Sequence, residues 1–266
     1  MPLTHFNCAA GKVAVVDCLN KCPGGSRCLS LPTLTEVGKL RNLDKLSVTQ
    51  LLNPTRIEYL KIECDYAVDP KDRAFLFLGT RHHQQLEAVA QKLAVISESR
   101  MVSEDVTGQA DLLEPIDGTD TYRLVDYKTW GGFAVRKALG SQYKEPDIEA
   151  TALQINNYRI MFEETGFKVA EMFVQVAVRD FTAQTATQYN LAEKMFLIPI
   201  PFMADAEVKD YFSRKAESLL YALQHKELPA ICDYEERWGG RRCKGYCQIF
   251  MYCPEGAKVN KVERRK

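Results

Sequence analysis

Two carboxylates and a lysine near the middle of the chain have the types and the spacing that hydrolytic chemistry uses. Asp126 and Lys128 follow an apolar pair at 124–125. Side chains alternate faces along a β-strand, so these two project to the same side at the end of that strand. Asp111 precedes a second apolar run, which places it at the end of a strand, and residues 115–121 contain an Asp-Gly pair that favours a hairpin turn. The sequence therefore predicts that two neighbouring strands bring Asp111, Asp126 and Lys128 to one point.

Two helices are predicted to flank these strands. Between 86 and 93 the apolar residues recur at helical spacing, which is typical of an amphipathic helix that packs on a sheet. His82 and His83 lie on opposite sides of that apolar stripe, so helical geometry alone leaves both open as site residues. A second helix is predicted over 150–162, where Gln154 and Tyr158 share one face because they are four residues apart.

The composition excludes several classes of protein. The chain has 266 residues with 46% hydrophobic and 26% charged residues, which suits one domain of moderate size with appendages. Its 35 basic and 35 acidic residues balance, so nucleic-acid binding would need a local basic groove. No apolar run approaches the roughly 20 residues of a membrane span, and the N-terminus lacks a signal-peptide pattern. We therefore expect a soluble, intracellular, cytoplasmic protein without a membrane partner.

Eight of the nine cysteines fall into two sets with nearly the same spacing. The front set is C-x9-C-x3-C-x5-C and the rear set is C-x10-C-x3-C-x5-C. A disulfide scaffold suits small secreted chains, whereas thiolates gathered in an intracellular protein need a zinc ion or an iron–sulfur cluster to offset their charge. Buried cysteines scattered through the core are the alternative, and Cys64 alone is predicted to be a small core residue. The front set is Cys8, Cys18, Cys22 and Cys28, and the rear set is Cys232, Cys243, Cys247 and Cys253.

Several motifs, taken in order, resemble the PD-(D/E)XK nuclease superfamily. The spacing from Asp111 to the Asp126-Tyr127-Lys128 triplet resembles its RecB-type branch, which includes the CRISPR-associated RecB-like nucleases. The stretch at 79–87 is similar to the Gly-Thr-x-x-His-x-x-Leu-Glu that begins a helix in that branch, and this register selects His83 rather than His82. Gly-x-x-Asp at 108–111, with Glu98 upstream, and Gln-x-x-x-Tyr at 154–158 follow the same pattern.

The resemblance implies roles for these residues. It implies that His83, Asp111, Asp126 and the backbone carbonyl of Tyr127 hold Mg²⁺ or Mn²⁺, which prefer such oxygen-rich sites. It implies that Lys128 positions the attacking water and stabilises developing charge; its pKa could be lowered by burial or held high by the aspartates. Gln154 and Tyr158 are then expected to orient the DNA and the lysine.

The rear cysteines resemble the C-terminus of RecB-type nucleases that hold a [4Fe-4S] cluster. In that branch the first ligand often lies in a Cys-Pro at the end of an opening helix, but here Asn53 stands before Pro54. Cys232 offers a replacement, so a self-contained rear cluster is expected, with zinc as the alternative. For the front set, Zn²⁺ and a second Fe–S cluster remain equally open.

The remaining stretches give weaker expectations. The basic residues Arg136, Lys137 and Lys144 either line a groove for a phosphate backbone or form a solvated face. A strand is predicted over 170–179, an extended break over 198–201, a helix over 205–224 and a disordered tail over 258–266.

Together these patterns predict an α/β protein with a mixed central β-sheet flanked by helices, a restriction-endonuclease-like core, and cysteine-rich N- and C-terminal metal modules. The expected domains are a cysteine-rich module at 1–45, a nuclease core at 46–228, a cysteine module at 229–256 and a basic tail at 257–266. The expected function is a metal-dependent DNA exonuclease acting on single strands or DNA ends in recombination or repair, alongside a helicase or recombination partner. The alternative is a non-catalytic DNA-binding or scaffolding subunit with the same fold.

Overall fold

A computed structural model describes residues 3–39, 45–93, 95–103, 106–141 and 144–263. A short 3₁₀ helix at Pro70–Arg73 and a π-helical turn at Arg242–Tyr246 accompany the regular elements. The strands are β1 His5–Cys8, β2 Gly11–Ala14, β3 Leu46–Ser47, β4 Ala67–Val68, β5 Ile96–Ser103, β6 Val106–Pro115, β7 Tyr122–Trp130, β8 Val169–Val178 and β9 Met195–Pro199. The helices are α1 Val15–Asn20, α2 Leu31–Val37, α3 Val48–Leu51, α4 Thr55–Glu63, α5 Ala74–Lys92, α6 Gly132–Leu139, α7 Glu149–Glu164, α8 Ala183–Tyr189, α9 Asp205–His225 and α10 Pro254–Glu263.

Contacts divide the chain into two compact units, neither of them continuous in sequence. The first, here called the cysteine unit, comprises Met1–Leu46, Asn53–Leu76 and Ser213–Lys266. The second, here called the sheet unit, comprises Ser47–Leu52 and Phe77–Phe212. Both cysteine sets therefore belong to one unit, whereas the candidate hydrolytic residues belong to the other. The four consecutive domains proposed from the sequence stay a prediction.

The central sheet is mixed and has the order β3-β6-β7-β8-β9, with β5 beside β6. β6 and β7 form an antiparallel hairpin from Pro115↔Tyr122 to Leu112↔Val125, as the Asp-Gly turn predicted. β7 and β8 run parallel, which requires a crossover, and that crossover contains α6 and α7. The predicted α/β class with a mixed sheet flanked by helices is confirmed.

The two faces of the sheet pack against different helices. Leu86 and Ala90 of α5 pack against Leu112, Val125 and Tyr127, which share one face of the hairpin. Residues alternate faces along β7, so Asp126 and Lys128 lie on the opposite face from Val125 and Tyr127. That opposite face meets α7, because Gln154 of α7 hydrogen-bonds Asp126. The alternation read from the sequence thus separates an apolar face from a charged one.

The position of α7 is fixed by a buried asparagine. Asn156 is fully buried, and its side-chain amide donates to the carbonyls of Ala152 and Pro201 at 2.9 Å each. Its side-chain oxygen accepts from the backbone N–H of Met203 at 2.9 Å. These bonds satisfy a polar group that is costly to bury unpaired, and they tie the chain beyond β9 to the helix.

Three sequence-based expectations about elements were wrong. α5 begins at Ala74, not near Gly79, since good helix formers precede this glycine and offset its cost of about 1 kcal/mol in a helix. Ile198 and Pro199 are not a break but the end of β9, because an edge strand tolerates a proline that cannot donate. The tail expected to be disordered at 258–266 is helical as far as Glu263. Pro254 is the first residue of this helix, α10, where its missing N–H costs nothing. Residues 264–266 lie outside the described residues.

The cysteine unit is built around a three-stranded sheet of order β2-β1-β4, in which β1 is antiparallel to β2 and parallel to β4. Phe6 of β1 is buried at its centre. The C-terminal segment joins this sheet through the backbone carbonyl of Asp65, which accepts from Lys12 Nζ at 2.5 Å and from the Tyr252 hydroxyl at 2.8 Å. Residues distant in sequence thereby share one unit. Within the described part of the chain, none of the helices has the length and apolar character of a membrane span.

Candidate active site

Asp111 lies where β6 and β7 stop pairing with each other. The ladder between these strands ends at Leu112↔Val125, and the next backbone N–H, that of Tyr127, donates to Asp111 Oδ2 at 2.6 Å. A carboxylate thus takes the place of a ladder partner and holds the diverging strands together. Sequence analysis placed Asp111 and Asp126 at strand ends, which was wrong: both lie within their strands, and only the pairing between the strands ends here.

One histidine and two carboxylates converge at this divergence. His83 Nδ1 of α5 lies 3.1 Å from Asp111 Oδ1 and 3.4 Å from Glu98 Oε1. The ligand atoms of His83, Glu98 and Asp111 all lie within 4.8 Å of one another, and no other group in the described residues meets this criterion for a metal site. The Asp111 hydrogen bond raises the pKa of His83, against the effect of burial. Burial, and then the charge of Asp111, raises the pKa of Glu98. A bound cation would relieve this repulsion between carboxylates.

Glu98 reaches the site through an unusual backbone conformation. Its φ of 47° lies in the left-handed region, which costs a non-glycine residue of order 1 kcal/mol or more. The neighbours Ser97 and Ser99 pair with Leu112 and Ala110 of β6, so Glu98 stands opposite Asp111. Sequence analysis noted Glu98 only as part of a motif and gave it no role. Its position opposite Asp111 in the hairpin of β5 and β6 is the signal that was missed.

Asp126 and Lys128 form a largely buried ion pair beside this group, in which the aspartate is buried and the lysine side chain is 24% exposed. Lys128 Nζ lies 2.5 Å from Asp126 Oδ2, and the Asp126 residue is only 2% exposed. Burial alone would lower the pKa of Lys128, but the charge of Asp126, its hydrogen bond and the charge of Asp111 together raise it. Burial raises the pKa of Asp126, with the Lys128 charge opposing the shift. The sequence left open whether burial or the aspartates control the pKa of Lys128. The nearby aspartates outweigh burial, so the lysine keeps its proton.

Gln154 of α7 hydrogen-bonds the other oxygen of Asp126, and Tyr158 of the same helix hydrogen-bonds Gln154. Gln154 Nε2 lies 3.4 Å from Asp126 Oδ1 and 3.0 Å from the Tyr158 hydroxyl. Both residues are buried, at 6% and 3% exposure. Gly108 of β6 lets the ring approach closely, since a Cβ there would lie 2.7 Å from Tyr158 Cε1. Gln154 and Tyr158, which were predicted to share one helix face, are therefore hydrogen-bonded to each other on the buried side of Asp126.

His82 and Tyr127 border the site. The ring centroid of Tyr127 lies 5.8 Å from that of His82 and 6.1 Å from that of His83, in edge-on arrangements. Among the described residues, His82 Nε2 has no hydrogen-bond partner although it is buried. Burial lowers the pKa of His82, so it is neutral at pH 7. His83, not His82, makes the contacts with the carboxylates, which agrees with the register that the motif selected.

The structure thus gathers the predicted hydrolytic residues into the sheet unit, but divides them into two adjoining groups. His83 and Asp111 join Glu98 in the first group. Asp126, Lys128, Gln154 and Tyr158 form the second group through their ion pair and hydrogen bonds. Asp126 and the Tyr127 carbonyl were expected as metal ligands beside His83 and Asp111; those roles stay predictions.

The rear cysteines line one cavity in the cysteine unit. All four face it: Cys232 follows α9, Cys243 lies in the π-helical turn, Cys247 follows that turn, and Cys253 precedes α10. Burial, then Glu236, raises the pKa of Cys232 to about 11, and burial also raises the pKa of Cys243 and Cys247. No three of these described sulfurs lie within 4.8 Å of one another. Tetrahedral zinc, with Zn–S of about 2.3 Å, would place its sulfurs about 3.8 Å apart.

The front cysteines lie near Cys18 of the first helix. Cys8 ends β1 and contacts the Gly11 carbonyl across the hairpin at 3.6 Å, Cys18 is buried on α1, and Cys22 contacts the Ser26 carbonyl at 3.1 Å. Burial raises the pKa of Cys18, and the charges of Cys22, Cys28 and Cys8 add to the shift, so all three act on it electrostatically. All nine cysteines, Cys64 included, are free of disulfide bonds.

No family model matches the sequence, and no curated protein matches it. Among solved structures, SSO0001 is similar, with a TM-score of 0.48 and 16% identity over 84% of this chain and 92% of that one. A phage-related exonuclease from Haemophilus somnus 129PT has a TM-score of 0.39 and 13% identity, over 79% of this chain and 92% of that one. With TM-scores below 0.5, neither likeness assigns a function to this chain.

Proposed function

We propose that this chain is a metal-dependent DNA nuclease, and that it acts as an exonuclease on single strands or DNA ends. The observation that carries the proposal is the convergence of His83, Glu98 and Asp111 beside the buried Asp126–Lys128 pair. These groups come from α5, β5, β6 and β7, and a fold that only bound DNA would not need to gather them. Buried charges of this kind are costly to maintain and are concentrated at functional sites.

The donor set fits a hard divalent cation. Two carboxylates and one imidazole, with the His83 side chain 30% exposed, leave space for water and substrate oxygens, as Mg²⁺ and Mn²⁺ sites do. When bound, such a cation would neutralise charge on the scissile phosphate and lower the pKa of a water molecule. Glu98 is therefore proposed as a ligand in addition to the residues that the motif indicated.

Lys128 has a role that follows from its charge. Because Asp126 keeps it protonated, it acts as a cation and hydrogen-bond donor, not as a base. In that form it stabilises the negative charge that develops on the phosphate, an effect worth about 10²–10³-fold in rate for a single well-placed donor. Gln154 hydrogen-bonds Asp126, and Tyr158 hydrogen-bonds Gln154. Together they fix the carboxylate that is paired with Lys128, and so hold the lysine in position.

DNA as the substrate rests on the resemblance to RecB-type nucleases. The basic residues of α6 give it limited support, since Lys137 pairs with Asp147 and Arg136 bonds the Gly140 carbonyl at 2.5 Å. The chain has no net charge that would attract nucleic acid at long range. Single-stranded RNA of the same sequence is therefore part of the test.

For the rear cysteines we propose a [4Fe-4S] cluster rather than zinc. The sulfurs line a common cavity but stand wider apart than a single tetrahedral ion requires. For the front cysteines we propose a second thiolate site with zinc or an Fe–S cluster. Anaerobically purified protein should be brown with about four irons and four sulfides per cluster; zinc in place of iron would refute the cluster.

The nuclease is tested with end-labelled single-stranded DNA, single-stranded RNA of the same sequence, linear duplexes and closed circular DNA in Mg²⁺ or Mn²⁺. Asp126→Asn and Lys128→Ala should each reduce cleavage by about 10²-fold or more, because each removes one half of the buried pair. Asp120→Asn and Lys168→Ala are matched controls, since Asp120 and Lys168 form an exposed carboxylate–lysine pair in the same unit. Both controls should keep wild-type activity.

The outcomes separate the alternatives. Degradation of linear strands that spares closed circles supports an exonuclease, whereas cleavage of circles shows an endonuclease. Binding of DNA without turnover in either metal would indicate the non-catalytic subunit instead. Full activity in a folded Asp126→Asn or Lys128→Ala variant would refute the assignment of the site.

A further inference from the structure

The cavity lined by the rear cysteines is also lined by three arginines: Arg56, Arg237 and Arg242. Arg56 comes from α4, whereas the other two come from the segment that carries the cysteines. Arg56 is only 9% exposed, although a guanidinium group is always charged. Three cations around four sulfurs are unusual for a cavity that contains only neutral thiols.

These arginines are incompletely partnered. Among the described residues, the buried Nε atoms of Arg56 and Arg242 have no hydrogen-bond partner. Arg242 Nη1 donates to the Glu236 carbonyl at 3.2 Å, and its guanidinium lies 5.1 Å from the Trp238 ring centre. Arg237 Nε donates to the Asp233 carbonyl at 3.1 Å. A buried guanidinium that lacks a counter-charge costs several kcal/mol, so the arrangement implies an anion in the cavity.

Nearby carboxylates supply only part of that anion. Glu236 lies 3.6 Å from Lys215. The hydrogen bond and charge of Lys258 lower the pKa of Glu255, and the charges of Arg56 and Arg237 add smaller effects, so Glu255 is shared between that lysine and two of the arginines. The sulfurs can supply the rest, but only when they are ionised. Four thiolates carry about −4, and either Zn²⁺ or the 2+ core of a [4Fe-4S] cluster leaves a group of about −2.

We propose that Arg56, Arg237 and Arg242 form an arginine collar that neutralises a dianionic, thiolate-bound metal group at the rear cysteines. This rests on the rear metal site proposed above and goes beyond it by assigning residues that are not ligands. The collar stabilises the charged group and provides N–H donors to its sulfurs. Arg56 is the second residue of α4, so a cation from outside the cysteine-bearing segment lines the cavity.

The collar has a measurable effect in each form of the site. One-electron reduction of a [4Fe-4S] group, with dithionite as the reductant, changes its charge from about −2 to −3, and a neighbouring cation favours the reduced form. Removing one arginine should therefore lower the midpoint potential. In a zinc-loaded site there is no such potential, and the collar instead slows the loss of zinc to a competing chelator.

The test compares Arg56→Gln, Arg242→Gln and Arg56→Lys in the full chain. Arg241→Gln is the matched control, because Arg241 is exposed, neighbours Arg242 and does not line the cavity. Iron, sulfide and zinc are counted per chain after anaerobic purification, and the reduced form is followed by electron paramagnetic resonance during a dithionite titration. Zinc-loaded protein is mixed with a chromogenic chelator and the rate of transfer is recorded.

For an iron–sulfur site, Arg56→Gln and Arg242→Gln should shift the oxidised-to-reduced ratio at fixed potential about tenfold, which is 59 mV for one electron. For a zinc site, they should release zinc about tenfold faster. Arg56→Lys should recover most of the wild-type value because it restores the charge, and Arg241→Gln should match the wild type. If Arg56→Gln does not fold, Arg237→Gln, at a partly exposed position, provides the same readouts.

Other results would overturn the proposal. Folded, metal-loaded Arg56→Gln and Arg242→Gln with wild-type potential and wild-type release rate would refute the collar and leave the metal site standing. A wild-type chain that binds neither iron nor zinc at the rear cysteines would refute the metal site and the collar together. The nuclease assay is separate, because it depends on residues of the sheet unit.

Discussion

The candidate hydrolytic site of the sheet unit and the thiol site of the cysteine unit are built in opposite ways. His83, Glu98, Asp111, Asp126 and Lys128 all lie on regular helices or strands, and neighbouring side chains or backbone groups fix them. The rear cysteines lie in turns, a π-helical turn and the ends of elements. Hydrogen-bonded ladders position the first set, whereas the proposed metal would complete the geometry of the second set.

This contrast suits the two kinds of metal site that we propose. A catalytic cation must exchange water and substrate, so its ligands need to be positioned in advance and partly open. A structural thiolate site is closed, and its binding free energy contributes directly to folding. The chain contains one tryptophan in each unit, Trp130 in the sheet unit and Trp238 in the cysteine unit, so fluorescence can report on them separately.

The largest effect is expected from Cys247→Ser. Loss of one of the four proposed thiolate ligands should destabilise the cysteine unit by roughly 3 kcal/mol or more, because the binding free energy of a structural metal is folding free energy. Urea unfolding followed through Trp238 in a Trp130→Phe background measures it, together with metal content. Cys64→Ser is the control, since Cys64 lies outside both sets. An equal loss in the control, or an unchanged Trp238 transition, would contradict the contrast between the sites.

Glu98→Gln should affect only the sheet unit. Removing one charge from the group of His83, Glu98 and Asp111 should weaken Mn²⁺ binding by about 10- to 100-fold. A loss of this size is already seen when residues that only hydrogen-bond the metal ligands are changed. Calorimetry or electron paramagnetic resonance of Mn²⁺ measures the affinity. Glu114→Gln, on β6 beside Arg123, is the control and should bind Mn²⁺ as the wild type does. Unchanged Mn²⁺ affinity in Glu98→Gln would remove Glu98 from the proposed ligands.

Gly108→Ala tests how closely the regular elements of the sheet unit are packed. The added Cβ would lie 2.7 Å from Tyr158 Cε1, so we expect a loss of about 1–3 kcal/mol, as for other overpacked cores, and reduced cleavage. Gly79→Ala is the matched control: its nearest neighbour would be Thr129 Oγ1 at 3.8 Å, and alanine favours a helix. Urea unfolding through Trp130 compares them. A Gly108→Ala protein as stable as Gly79→Ala would show that Tyr158 does not need its observed position.

The smallest effect is expected from Tyr158→Phe. It removes one buried hydrogen bond to Gln154 and leaves the ring in place, so the free energy of unfolding should fall by about 1 kcal/mol. Tyr189→Phe is the control, because Tyr189 makes a comparable but exposed bond with Gln188 at 3.1 Å and should change stability less. A larger loss in the control would mean that burial does not distinguish these bonds.

The sequence predicted the parts of the site that depend on local periodicity. Asp126 and Lys128 share a face because strands have a period of two, and Gln154 and Tyr158 share one because helices have a period of 3.6. The Asp-Gly turn predicted the hairpin that brings Asp111 to Asp126. These expectations concern residues joined by one element or one short turn, for which spacing determines direction.

The errors involve longer-range relations. The role of Glu98 depends on a left-handed backbone residue and on its register opposite Asp111, and no local pattern encodes either. The strand character of Ile198 and Pro199 depends on an edge position against β8, which compensates for the missing N–H. Arg56 and the rear cysteines are separated by more than 170 residues in the printed sequence, so no spacing rule could connect them.

The sequence by itself therefore determined the α/β class, the faces on which the charged residues lie and the two cysteine sets. Only the tertiary structure decided that Glu98 joins His83 and Asp111, that Lys128 keeps its proton beside Asp126, and that three arginines surround the rear thiols. The physical reason is that side-chain direction follows from local backbone periodicity. Charge, burial and ligand geometry follow from which elements pack together, and that depends on the whole chain.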